Sequence, residues 1–187
     1  GKTIRIVVGT SPGGGFDVVP SDCLIKYVAE KLPGATHLEL YIKSIGGGVS
    51  RGTARSGIEN SHRAGRIRRD GKIVSVPNAW RIKQVDFGRG PKRLVSVGWG
   101  DVSTAYYSTG IPNIEVYMCV PPGTVANLRK LRRLGPLLGF APIQALLKAQ
   151  VEKKVQGPSE QKRNDAETWI WGEASDAAGR QVSAVLK

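Results

Sequence analysis

The sequence predicts an α+β domain: a mixed, mainly antiparallel sheet with helices packed on one face. Three observations lead there. Strand-like runs outnumber helical ones. Asp70-Gly71, set between two such runs, is a strong type I′ hairpin signal. Strands and helices do not alternate in the steady way that a parallel βαβ sheet requires. The chain has 187 residues, which is enough for one domain with a substantial core.

The first strand is read over residues 3–8 (TIRIVV), a β-branched apolar run. A glycine-rich turn, Gly9 to Gly15, follows. A helix start is then expected in Phe16-Asp17-Val18-Val19-Pro20-Ser21-Asp22, because proline suits a first turn and Asp22 would favour the positive end of the helix dipole. Leu24, Ile25, Val28, Ala29 and Leu32 recur at helical spacing until Pro33-Gly34. Residues 36–42 alternate like a half-buried strand, and Gly46-Gly47-Gly48 breaks it. Ser50 or Thr53 is the expected cap of a helix reaching about Glu59.

The hairpin is expected over 66–76, with further strands at 81–87 and 93–99. Asp101 is the expected N-cap of a short helix over 102–108, stopped by Gly110 and Pro112. A strand follows at 114–120. Thr124 then caps a helix carrying Val125, Leu128, Leu131 and Leu134. Another helix, over 142–154, carries Ile143, Leu146, Leu147 and Val151 on one side. Residues 168–173 and 181–186 make a closing hairpin, and no internal repeat stands out.

Composition narrows the class. With 40 % hydrophobic and 23 % charged residues the chain falls among globular proteins. No apolar run approaches the roughly 20 residues of a membrane span, and no signal peptide precedes the first strand, so a cytoplasmic protein is expected. Cys23 and Cys119 lie in apolar patterns and are expected to be reduced core residues. No cysteine and histidine spacing suggests a metal site. The net charge of +13 raises nucleic acid as a partner. The basic residues are dispersed, however, and lack interleaved aromatics, so solvated basic faces are the preferred reading. His37, in a strand pattern, and His62, in a basic turn, are expected to be non-catalytic.

Three stretches could carry chemistry. The turn Gly9–Gly15 follows a strand and precedes a helix, as a phosphate loop does, but lacks both the G-x-G-x-x-G spacing and a Gly-Lys-Ser/Thr ending. In GGGVSRGT, 46–53, Arg51 can grip a carboxylate through two parallel hydrogen bonds while Ser50 and Thr53 orient it. In GWGDVSTA, 98–105, Asp101 could serve as general acid or base if burial near Trp99 raises its pKa, although a helix cap is the commoner role.

Four segments in order resemble the saccharopine-dehydrogenase-like oxidoreductases. They are GFDVVPSDCL at 15–24, GGGVSRGTAR at 46–55, RRDGKIVSVP at 68–77 with Asp86-Phe87-Gly88, and WGDVSTAYYSTGIPNIEVYM at 99–118. The tail, 136–160 and 171–182, is similar as well. Members often have proline before the Trp-Gly-Asp, where this chain has Gly98. Taken alone, the opening IRIVVGTSPGGGFD is instead similar to the start of periplasmic tricarboxylate receptors.

The resemblance implies that residues 1–14 are a remnant of the last strand and loop of a nucleotide-binding domain, and that 15–187 form the substrate domain. Gly15, Phe16, Asp17 and Ser21 would lie by the nicotinamide end of NAD(P). Ser50, Arg51, Thr53 and Trp99 would face a small substrate with an acidic group, and Asp22 and Asp101 would be the proton-transfer candidates. NAD(P) belongs to the intact enzyme. None is expected on the isolated chain, which lacks the phosphate-binding loop. The sheet is the surface through which a homodimer could form. The alternative is a non-enzymatic basic module for an acidic partner such as nucleic acid.

Overall fold

A computed structural model describes residues 3–6, 18–46, 51–60, 64–88, 90–121, 123–133, 139–155, 157, 159, 161 and 166–187. The sequence-predicted turn Gly9–Gly15, together with Phe16, Asp17, Ser50 and His62, lies outside the described residues. In chain order the elements are β1 (Thr3–Ile6), α1 (Val18–Lys31), β2 (His37–Ile45), α2 (Arg51–Asn60), β3 (Gly65–Arg69), β4 (Lys72–Val76) and β5 (Ile82–Asp86). There follow β6 (Pro91–Val97), α3 (Asp101–Thr109), β7 (Asn113–Cys119), α4 (Thr124–Arg133), α5 (Ala141–Lys154), β8 (Glu167–Ser175) and β9 (Gln181–Leu186).

These strands form one sheet in the order β1-β9-β8-β2-β7-β3-β4, with β5 paired to β6 and β6 to β7. The β1–β9 and β2–β7 pairs are parallel and the others antiparallel, which is the mixed, mainly antiparallel α+β arrangement read from the sequence. One edge of β7 is taken wholly by β2. The other is divided: β3 meets it at Arg68↔Ile114, and β6 over Leu94↔Cys119 to Val97↔Val116.

The predicted hairpin forms as β3–β4. Asp70 and Gly71 have φ of 48° and 74°, the positive pair that a type I′ turn requires. Helix α3 ends where Gly110 adopts φ 71° and returns its N–H to the Tyr106 carbonyl.

The alternation of side chains separates two faces. Leu38, Leu40, Ile42, Ile114, Val116, Ile170, Ala174 and Ala184 pack with Leu24, Ile25, Val28 and Leu32 of α1 and with Val102 and Ala105 of α3. Gly172 lies beneath α1, where a Cβ would make ordinary contact with Leu24 at 3.4 Å. Val125 of α4 extends this core over Val95. Leu40 is fully buried at the centre, so Leu40→Ala is expected to cost about 2–5 kcal/mol, read as a lowered urea midpoint at unchanged slope.

On the opposite face Tyr41, Tyr117, Leu94 and Trp169 form a second cluster, roofed by Phe87 and Val85 where β5 curls over the sheet. Helices α2 and α5 pack on each other, through Gln144 Nε2 to the Ile58 carbonyl (3.1 Å) and Lys148 to Glu59 (2.8 Å).

Two expectations are corrected here. Cys23 is exposed, because the α1 stripe of Leu24, Ile25, Val28 and Leu32 faces the sheet and position 23 is turned away from it; Cys119 is half-buried, and both thiols are free. Thr53 is not a cap, since α2 already starts at Arg51. Among the described residues no helix is long and apolar enough to cross a membrane.

Candidate functional site

Helices α1 and α3 lie side by side on the sheet, and their polar contacts advance together along both. Ser21 Oγ donates to Asp101 Oδ1 (2.5 Å), Thr104 Oγ1 donates to Asp22 Oδ1 (3.0 Å), and Lys26 Nζ reaches the Ser108 carbonyl (3.4 Å). The steps from 22 to 26 and from 104 to 108 are one helical turn each, so the two helices run in the same direction. Three of the sequence-predicted residues, Ser21, Asp22 and Asp101, are thereby brought together.

Asp101 is not the expected N-cap. Gly100 holds that position with no side-chain cap bond, and Asp101 is the first residue of α3, turned inward at 0 % exposure. Its acceptor is needed by Ser21, which is also at 0 % exposure. Oδ2 of Asp101 is buried with no hydrogen-bond partner. Burial therefore holds the Asp101 carboxyl above its ordinary value. The Ser21 bond pulls it back, and the neighbouring Asp22 charge adds to the rise. Asp22 itself is half-buried and lines a shallow depression with Cys23, Lys26, Tyr27, Glu30 and Ser108. Asp22 is therefore accessible from the surface, whereas Asp101 is enclosed and bonded to Ser21.

Trp99 is half-buried against the core beside α1 and α3, and its carbonyl accepts from Val102 N–H (3.2 Å). Before it, Gly98 runs close to β3: a Cβ would lie a tight 3.0 Å from the Arg66 backbone nitrogen. Arg51 stands at the α2–α5 pair, exposed, with Nε donating to the Val155 carbonyl at 2.8 Å. Gly15, Phe16, Asp17 and Ser50 lie outside the described residues. Ser21, expected beside a nicotinamide, donates its hydroxyl to Asp101. Among the described residues no cluster of acids, histidines or cysteines could hold a metal ion.

A second polar group went unnoticed in the sequence. Glu173, Glu39 and Glu115 stand abreast on β8, β2 and β7, with Trp171, Tyr41 and Tyr117 abreast in the next row. Tyr41 donates to Glu39, and Tyr117 donates to Glu115 at 2.6 Å. Lys83 of β5 pairs with Glu39, and Arg81 pairs with Glu115 at 3.0 Å. The two rings stack at 5.4 Å. Burial, with the Glu39 charge added, raises the Glu173 carboxyl while Lys83 lowers it; burial and glutamate acceptors hold both tyrosines well above the ordinary phenol value. The signal for this group was the shared pattern of LELYI at 38–42 and IEVYM at 114–118.

Compared with models of known protein families and with curated proteins, the chain matches none.

Proposed function

We propose that this chain is the substrate-side part of an NAD(P)-dependent oxidoreductase of the saccharopine-dehydrogenase-like kind, incomplete for catalysis alone and cytoplasmic. One observation carries the reading. The two stretches on which the resemblance rests most, 15–24 and 99–118, meet through the Ser21–Asp101 and Asp22–Thr104 bonds across |i−j| of 80 and 82. The contact sets the two stretches at one place in the fold, as a shared site would require.

NAD(P), when bound to a separate nucleotide domain, would supply the hydride step. The residues of this chain would bind, orient and exchange protons. Asp22, held by Thr104, is the proton-transfer candidate. Asp101 positions the start of α1 through Ser21. Arg51 would grip an acidic group with the donors it does not give to Val155.

The test is the in-frame coding sequence upstream of this segment. A strand followed by G-x-G-x-x-G is expected, and an upstream frame without that pattern overturns the reading. For the chain itself, calorimetric titration with NADPH is expected to show no binding at micromolar affinity. Low-micromolar binding would contradict the missing phosphate site. Titration with duplex DNA is expected to show no steep dependence on salt. A steep slope would instead favour the basic binding module.

A further inference from the structure

We propose that the cleft at the C-terminal ends of β2 and β7 binds an organic oxyanion, a carboxylate or phosphate carried on an apolar body, with Lys43 as its buried anchor. The cleft measures about 640 Å³, and its lining includes Lys43, Gln84, Lys92, Arg93, Cys119 and Val125. That volume is usual for a small-molecule site. Three cations line it, and no carboxylate is among the described lining residues.

Lys43 is the decisive residue. It is 5 % exposed, yet among the described residues it has no hydrogen-bond or ion-pair partner. Its Nζ is held against two ring faces, 5.2 Å from the centre of Phe87 and 5.9 Å from that of Trp169. Ring faces attract the cation in part, and among the described residues its charge has no anion beside it. The nearby acids are engaged elsewhere. Glu39 pairs with Lys83, and Glu167 pairs with Lys187 while accepting from Trp169 Nε1. Lys92 and Arg93 likewise have no acidic partner among the described residues. An oxyanion would complete Lys43, and the half-apolar wall ending at Val125 would take the body that carries it. Lys43 shares the sheet face of Tyr41, opposite Ser21 and Asp101, and neither of those residues lines the cleft, so the proposal stands or falls apart from the proposed activity.

The experiment titrates the full chain with phenyl phosphate and with benzoate, followed by tryptophan fluorescence because Trp169 touches the anchor. Saturable binding is expected with Kd on the order of 0.1–1 mM for at least one probe, and the tighter probe identifies the oxyanion. Lys43→Met, close in shape and uncharged, is expected to weaken it about tenfold or more, and the double change Lys92→Gln with Arg93→Gln about threefold to tenfold. Lys153→Gln with Lys154→Gln removes the same charge at the end of α5 and is expected to leave binding unchanged. An equal loss in that control would mean general attraction to a chain of net charge +13, and would overturn the proposal. So would unchanged binding by Lys43→Met, or no saturation by either probe up to about 20 mM. Should Lys43→Met fail to fold, alkylation of Cys119 in a Cys23→Ser chain decides. The bound probe is expected to slow it, and an unaltered rate would sink the proposal.

Discussion

Ser21→Ala is expected to cost about 2–3 kcal/mol of stability at neutral pH, because it removes a hydrogen bond to an enclosed carboxylate whose other oxygen is already without a partner. The cost depends on pH, and its sign follows from Asp101. Burial raises that carboxyl in the folded chain, so the folded state holds the proton more tightly than the unfolded one. The stability that Asp101 contributes is therefore greatest below the ordinary carboxyl value and falls as pH rises through the raised folded value. Removing the Ser21 donor raises the folded value further, so the decline deepens and reaches higher pH. Asp101→Asn abolishes the titration and is expected to flatten this part of the profile. In that background Ser21→Ala is expected to cost less. Urea melts from about pH 4 to about pH 8 on the native chain, both single variants and the double variant measure the coupling. Equal costs of Ser21→Ala in both backgrounds at neutral pH would refute it.

Arg68→Met is expected to cost about 2–4 kcal/mol. Arg68 is 6 % exposed, and it ties three parts of the fold together. Its Nε donates to the Val102 carbonyl at 2.9 Å, a terminal N–H donates to the Gly71 carbonyl at 2.6 Å, and the guanidinium stacks on Tyr106 at 4.1 Å. Methionine retains much of the volume and none of the donors. Arg68→Lys keeps the charge but loses the flat fork and the stacking, so an intermediate loss of about 1–2 kcal/mol is expected. Thermal melts separate the two. If lysine matched arginine, charge alone would be the stabilising element, and the planar geometry would be irrelevant.

Legibility in the sequence followed the range of the interaction. The Asp70-Gly71 turn was readable because its requirement, two positive φ values in succession, is local. The apolar stripe of α1 was readable because helical periodicity is local too, and the same rule should have placed Cys23 outside it. Asp101 was misread as a cap because capping is a neighbour effect, whereas its true partner lies |i−j| of 80 away. The alternation of Glu39 with Tyr41, and of Glu115 with Tyr117, was visible in the sequence. Their pairing with Lys83 and Arg81 depends on how β5 curls over the sheet, which no local pattern records. Lys43 illustrates the limit most clearly. A lysine in a strand reads as a solvated face, and only Phe87 above it and Trp169 beside it on β8 make it a buried one.

The divided edge of β7 has a consequence for the order of assembly. The β3–β4, β5–β6 and β8–β9 ladders each join strands that are consecutive in the chain, so each can zip as a local hairpin within microseconds. The β8–β9 hairpin docks on β2, and the β3–β4 and β5–β6 hairpins dock on β7, so the two halves of the sheet are united only by the parallel β2–β7 pairing, which sets His37 against Asn113. Such a distant closure is slow. The central pair therefore works as a clock for the molecule. Substitutions on β7 at the junction, such as Ile114 or Val116, are expected to slow refolding, while changes confined to the hairpin turns chiefly hasten unfolding.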